Sequence, residues 1–139
     1  EPMVFTHQGA YWVDGMPLDF RIGYPKTLEE YRMAGRSLNA DLAGAVYDNR
    51  ISEIGESFFL DIFAPAIAKA EKDNVPLYSG EYGVIDKAAS GDKIRWLKDI
   101  NSAFRKAGIG RALWNYKEKD FGFTDEAFSE IRNEFMEVL

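Results

Sequence analysis

Between Pro76 and Arg111 the chain passes once through strand, helix and strand. Pro76-Leu77-Tyr78-Ser79-Gly80-Glu81-Tyr82-Gly83 reads as a short strand. Asp92 to about Ala107 reads as a helix, with Ile94, Leu97, Ile100 and Phe104 on its inner face and Gly108 as its stop. Arg111-Ala112-Leu113-Trp114-Asn115-Tyr116 is the second strand, and a two-residue period places Trp114 and Tyr116 on one face. The strand starts lie 35 residues apart (111 − 76), close to the roughly 31 expected when about 250 residues make eight strand-helix units. Strands joined by a helical crossover run parallel, and a parallel sheet needs both faces covered.

The flanking segments extend the alternation. A helix carrying Phe59, Phe63, Ile67 and Ala70 precedes the first strand and should bend at Pro65. A closing amphipathic helix carries Phe128, Ile131, Phe135 and Val138, with Thr124 as N-cap and Asp125 and Glu126 on the positive end of its dipole. Residues 13–51 break the rhythm as a helical insertion on the loop side. Its helix opens on the capping box Thr27-Leu28-Glu29-Glu30 and continues through Leu38 and Leu42. Met3 to Trp12 reads as a short extended run passing into a polar and aromatic loop. Lys93, Arg95, Lys98, Asp99, Arg105 and Lys106 are expected on a solvated face, and Trp96 in packing.

Two complete units and the tail of a third, over 139 residues, fall short of the 200 or so that a closed eight-stranded barrel needs. The expectation is one α/β domain over residues 1–139 that forms an incomplete barrel. The missing barrel half would come from another chain, a symmetry mate or the parent protein. The start Glu1-Pro2, without methionine or a basic-then-apolar leader, is read as a processed product or a piece of something longer.

Composition narrows the function. A net charge of −6, with acids and bases interspersed, offers no positive stripe for phosphates, so no nucleic acid is expected. Apolar runs such as Phe58 to Leu60 and Ala64 to Ala68 are far shorter than the roughly 20 residues that span a bilayer, so no membrane is expected. One histidine and no cysteine argue against a metal site, and no cofactor is implied.

Glu81, between Gly80 and Gly83 at the exit of an apolar strand, is the candidate catalytic residue. The glycines leave room for a ligand to approach its carboxylate. Glycosidic bond cleavage uses one carboxyl group as acid and another as nucleophile or base. Sugar C–H faces stack on indole, for which Trp114 on the next strand is well placed.

Pro76-Leu77-Tyr78-Ser79-Gly80-Glu81-Tyr82-Gly83 resembles the seventh-strand motif of glycoside hydrolase family 5, the cellulase family, in which the glutamate of Gly-Glu-Phe/Tyr-Gly is the nucleophile. Phe5-Thr6-His7-Gln8-Gly9-Ala10-Tyr11-Trp12 resembles the segment after strand six of its endoglucanase branch, and Leu113-Trp114-Asn115-Tyr116-Lys117 resembles strand eight. The resemblance implies the C-terminal portion of a (β/α)8 TIM barrel, strands six to eight with their helices. It further implies a retaining nucleophile in Glu81, a stacking platform in Trp114, substrate contacts at His7 and Trp12, a β-1,4-glucan polysaccharide or oligosaccharide as substrate, and secretion. His7 could instead tie down loop carbonyls, and Trp12 could cap the barrel rim.

The family's acid/base glutamate lies in an Asn-Glu-Pro sequence, and none occurs here; Asn133-Glu134 is followed by Phe135. The histidine and tyrosine of the family's strand six would fall before Glu1. Asp120 or Glu118 after the last strand is the local alternative for the acid. Two other readings stand beside the glucanase: a barrel acting on mannan, xyloglucan or another β-glycan, and a folded fragment inactive by itself.

Overall fold

The long helix α4, Ser90–Lys106, organises the protein, because its buried side chains reach the sheet on one side and two further helical layers on the others. The computed structural model describes residues 3–38 and 51–139. Preceding elements are the single turn α1, Met3–Thr6, α2, Leu28–Ser37, α3, Glu56–Asp73, and strand β1, Tyr78–Tyr82. After α4 come strand β2, Gly110–Leu113, a 3-10 helix, Glu126–Ile131, and α5, Arg132–Val138.

β1 and β2 pair in parallel, as the crossover requires, and make a two-stranded sheet. The pairing runs Tyr78 to Gly110, Ser79 to Arg111 and Tyr82 to Leu113. The offset falls from 32 (110 − 78) to 31 (113 − 82), so β1 carries one extra residue between Ser79 and Tyr82. This bulge contains Gly80 and Glu81, and bulges re-aim side chains beside active sites.

The predicted inner face of α4 is buried: Ile94, Leu97, Ile100 and Phe104 are at most 3% exposed. Trp96, fully buried, packs on Phe59 and Tyr82, and Phe104 packs on Tyr82 and Phe63. α3 contributes Phe58 and Phe59 to this core and contains Pro65 inside one continuous helix that closes on left-handed Asn74.

Several expectations are corrected. Met3–Thr6 is a helical turn rather than extended, with the His7 N–H on the Met3 carbonyl at 2.9 Å. No described strand pairs with it, and a helical turn satisfies its backbone locally while still burying Val4 and Phe5. Lys93 is not on a solvated face. It is 1% exposed, donates to the Asp86 and Ala127 carbonyls and lies 4.0 Å from the centre of the Phe128 ring. Asp99 is drawn inward by the Tyr24 hydroxyl, which donates to it at 2.7 Å, and burial raises its pKa.

The closing helix is also divided. Asp125, not Thr124, is the N-cap residue, and Thr124 instead donates its hydroxyl to the Tyr116 carbonyl. Phe128, Phe135 and Val138 nevertheless reach the core.

Within the inserted region the capping box is formed. The Thr27 hydroxyl accepts from the Glu30 N–H at 3.3 Å, and the Glu30 carboxylate accepts from the Thr27 N–H at 2.8 Å. That backbone hydrogen bond is the main cause of a Glu30 pKa lowered to about 2. α2 ends at Ser37 with Leu38 as C-cap, and Leu42 lies outside the described residues. Thr27→Ala is expected to lower the unfolding free energy by about 1 kcal/mol. Chemical denaturation of the complete protein measures it, and an unchanged midpoint would show that the cap contributes nothing.

Candidate active site

Glu81 lies in the bulge at the exit of β1. Its neighbour Tyr82 is 6% exposed and anchored in the core through its ring and hydroxyl. The Glu81 side chain is exposed, and no described residue hydrogen-bonds or ion-pairs its carboxylate. It lies in a cleft of about 460 Å³ at the C-terminal ends of both strands.

The four residues singled out from the sequence, His7, Trp12, Glu81 and Trp114, all line this cleft. Trp114 follows the last residue of β2, and its N–H extends the pairing to the Tyr82 carbonyl at 2.8 Å. Its indole is 40% exposed, which leaves an aromatic face for a ligand. Tyr116 does not share that face. The chain leaves β2 after Leu113, Tyr116 turns onto Phe123, and it does not line the cleft.

The two glycines differ in role. A Cβ at Gly83 would collide with the Trp114 carbonyl oxygen, so glycine there permits the close approach of the two strand ends. Gly80 faces open space, so the absence of its side chain is not required by the fold.

Elsewhere in the lining the His7 ring meets Phe121 edge-on at 5.5 Å, Trp12 lies 6.3 Å from Phe121, and Tyr11 packs edge-on against Trp12 at 4.9 Å. The His7 Nδ1 and the Thr6 hydroxyl are 2.9 Å apart. Burial lowers the His7 pKa and so favours the uncharged ring. Trp12 is 44% exposed and Tyr11 74%, so this part of the lining also presents aromatic surface.

Tyr11, Lys119 and Phe121 also line the cleft, beyond the residues expected from the sequence. An aromatic pair at Tyr11-Trp12 was a usable signal for the first. A lone aromatic directly after the charged run Glu118-Lys119-Asp120 is a signal for Phe121, which is buried in the cleft lining. Of the two local alternatives for an acid, Asp120 lines the cleft and Glu118 does not.

Parallel strands joined by a helix, with an acid and an exposed indole at their C-terminal ends, are consistent with part of an α/β barrel, whose active sites lie at that edge. No family model matches the chain. It is 37% identical over 111 residues to cellodextrinase A of Ruminococcus flavefaciens, covering 80% of this chain and 26% of that protein. It is 32% identical over 139 residues to endoglucanase C of Acetivibrio thermocellus, covering 99% of this chain and 40% of that protein. The structure of Thermotoga maritima Cel5A in complex with mannotriose superposes with a TM-score of 0.63 at 23% identity, over all of this chain and 36% of that one. The chain thus spans between about a quarter and two-fifths of the length of the relatives it matches. Its likeness to the endoglucanases of glycoside hydrolase family 5 is shown by these relatives.

Proposed function

We propose that this chain supplies the nucleophile and part of the substrate cleft of a retaining glycoside hydrolase that cleaves β-1,4-glucan chains. The observation that carries the reading is the exposed Glu81 carboxylate, without a partner among the described residues, in a cleft lined by Trp114, Trp12 and Tyr11. The names of the relatives, an endoglucanase and a cellodextrinase, support the glucan as substrate. A polymer of this kind is met outside the cell, which is where the enzyme would act.

The reaction is a double displacement. A Glu81 carboxylate oxygen attacks the anomeric carbon, the glycosidic C–O bond breaks, and the leaving oxygen takes a proton from a second carboxyl group. Water then attacks the same carbon, releases Glu81 and returns its proton to that second group. The acid/base group would come from the remaining strands of the barrel, so residues 1–139 alone are expected to show no turnover. Trp114 would stack under the sugar being cleaved, while His7 and Trp12 would contact neighbouring parts of the chain.

Mannan is the second reading, favoured by the mannotriose complex of a protein with this fold. A panel of soluble glucan, mannan and xyloglucan given to the complete protein separates the two. Fastest hydrolysis of mannan would replace the glucan assignment. Trp114→Ala is expected to lower kcat/KM on cello-oligosaccharides about tenfold or more, with Trp114→Phe largely retained, since stacking needs an aromatic face. Equal activity of the alanine variant would remove Trp114 from the binding surface.

A further inference from the structure

Part of the cleft lining is built from an unusual backbone. Glu118, Lys119 and Asp120 have φ of 64°, 57° and 60°, three consecutive left-handed residues, each disfavoured for a side chain with a Cβ. Lys119 and Asp120 line the cleft together with Phe121. Such a turn persists only where its surroundings over-determine it, and here it is fixed from both sides. The Asp86 N–H donates to the Asp120 carbonyl at 2.7 Å, and the Glu118 N–H donates to an Asp125 carboxylate oxygen at 2.8 Å.

Asp125 has a choice of partners. As N-cap of the 3-10 helix its carboxylate would ordinarily accept from that helix, yet it makes no capping bond there and turns back onto the loop. Its own backbone is held in place, with the N–H on the Gly122 carbonyl and the carbonyl accepting from Arg132. A Cβ at Gly122 would collide with both the Asp125 carboxylate and the Glu118 amide, so the glycine leaves the space in which the two meet.

We propose that Asp125 is a positioning residue for substrate binding: by holding the Glu118 amide it keeps the left-handed turn that stands Lys119 and Asp120 in the cleft wall, where they meet the hydroxyls of a glucan segment. The assignment rests on the glucan reading given above. Asp125 lines no part of the cleft itself, so it acts through the turn and not on the reacting atoms.

The test uses the complete protein with cellotetraose. Asp125→Ala is expected to raise KM about fivefold, the order of one lost hydrogen bond, with kcat within about twofold. Asp125→Asn keeps an oxygen that accepts from the Glu118 amide, and should stay within about twofold of the parent in both constants. An alanine variant that unfolds more easily but binds cellotetraose as before would overturn the proposal, as would an asparagine variant impaired as much as alanine. Calorimetric titration on a Glu81→Gln background separates this outcome from the larger reading. If the parent binds cellotetraose and Asp125→Ala does so equally well, only the positioning role fails. If the parent does not bind it at all, the glucan reading fails and takes this assignment with it.

Discussion

Glu81→Gln in the complete protein is expected to lower kcat on cello-oligosaccharides by at least about a thousandfold, as loss of a catalytic nucleophile does. The amide has nearly the same shape as the carboxylate but no charge with which to attack an anomeric carbon. Stability should hardly change, because the Glu81 side chain is exposed and no described residue pairs with its carboxylate. Cellotetraose affinity should persist too, since the aromatic walls remain. Steady-state kinetics beside a denaturation curve check both halves. Substantial residual hydrolysis by a folded variant would remove Glu81 from its role.

Asn101→Leu is expected to destabilise the protein by about 3 kcal/mol, through orphaned donors rather than lost volume. Asn101 is fully buried on α4. Its Oδ1 accepts from the Tyr82 hydroxyl at 2.9 Å and from the Arg111 Nε at 2.5 Å, and its Nδ2 donates to the Leu97 carbonyl at 3.0 Å. One side chain therefore ties α4 to both strands. Leucine would fill the space but leave a hydroxyl and a guanidinium N–H without that acceptor. Tyr82→Phe removes only one of these bonds and should cost about 1 kcal/mol. Denaturant midpoints at constant slope measure the difference, and an Asn101→Leu protein as stable as the parent would mean that the network contributes nothing net.

The strand-helix-strand order was readable in the sequence because it rests on period. Ile94, Leu97, Ile100 and Phe104 recur at helical spacing and are buried as that spacing demands. The capping box was equally plain, since both of its hydrogen bonds are local. The candidate site could be assembled because its residues lie beside motifs at strand ends, and Glu81, Trp114, His7 and Trp12 do line one cleft.

What sequence did not reveal depends on contacts distant along the chain. Lys93 looks like a surface cation, but the Ala127 carbonyl and the Phe128 ring, more than thirty residues later, give it a buried seat. Met3–Thr6 has the side chains of a strand but forms a helical turn, with the His7 N–H on the Met3 carbonyl. The bulge at Gly80 and Glu81 comes from the register with β2, which no local pattern announces. The left-handed turn at Glu118 to Asp120 likewise contains no glycine that would mark it.

A nucleophilic Glu81 becomes covalently bonded to the sugar during turnover. Incubating the complete protein with a 2-deoxy-2-fluoro cellobioside bearing an activated leaving group, then digesting it and sequencing the labelled peptide by mass spectrometry, tests this directly. One added glycosyl group is expected, on the Glu81 side chain; a label on Asp120, Glu118 or any other carboxylate, or steady turnover with no label, would show that Glu81 is not the nucleophile.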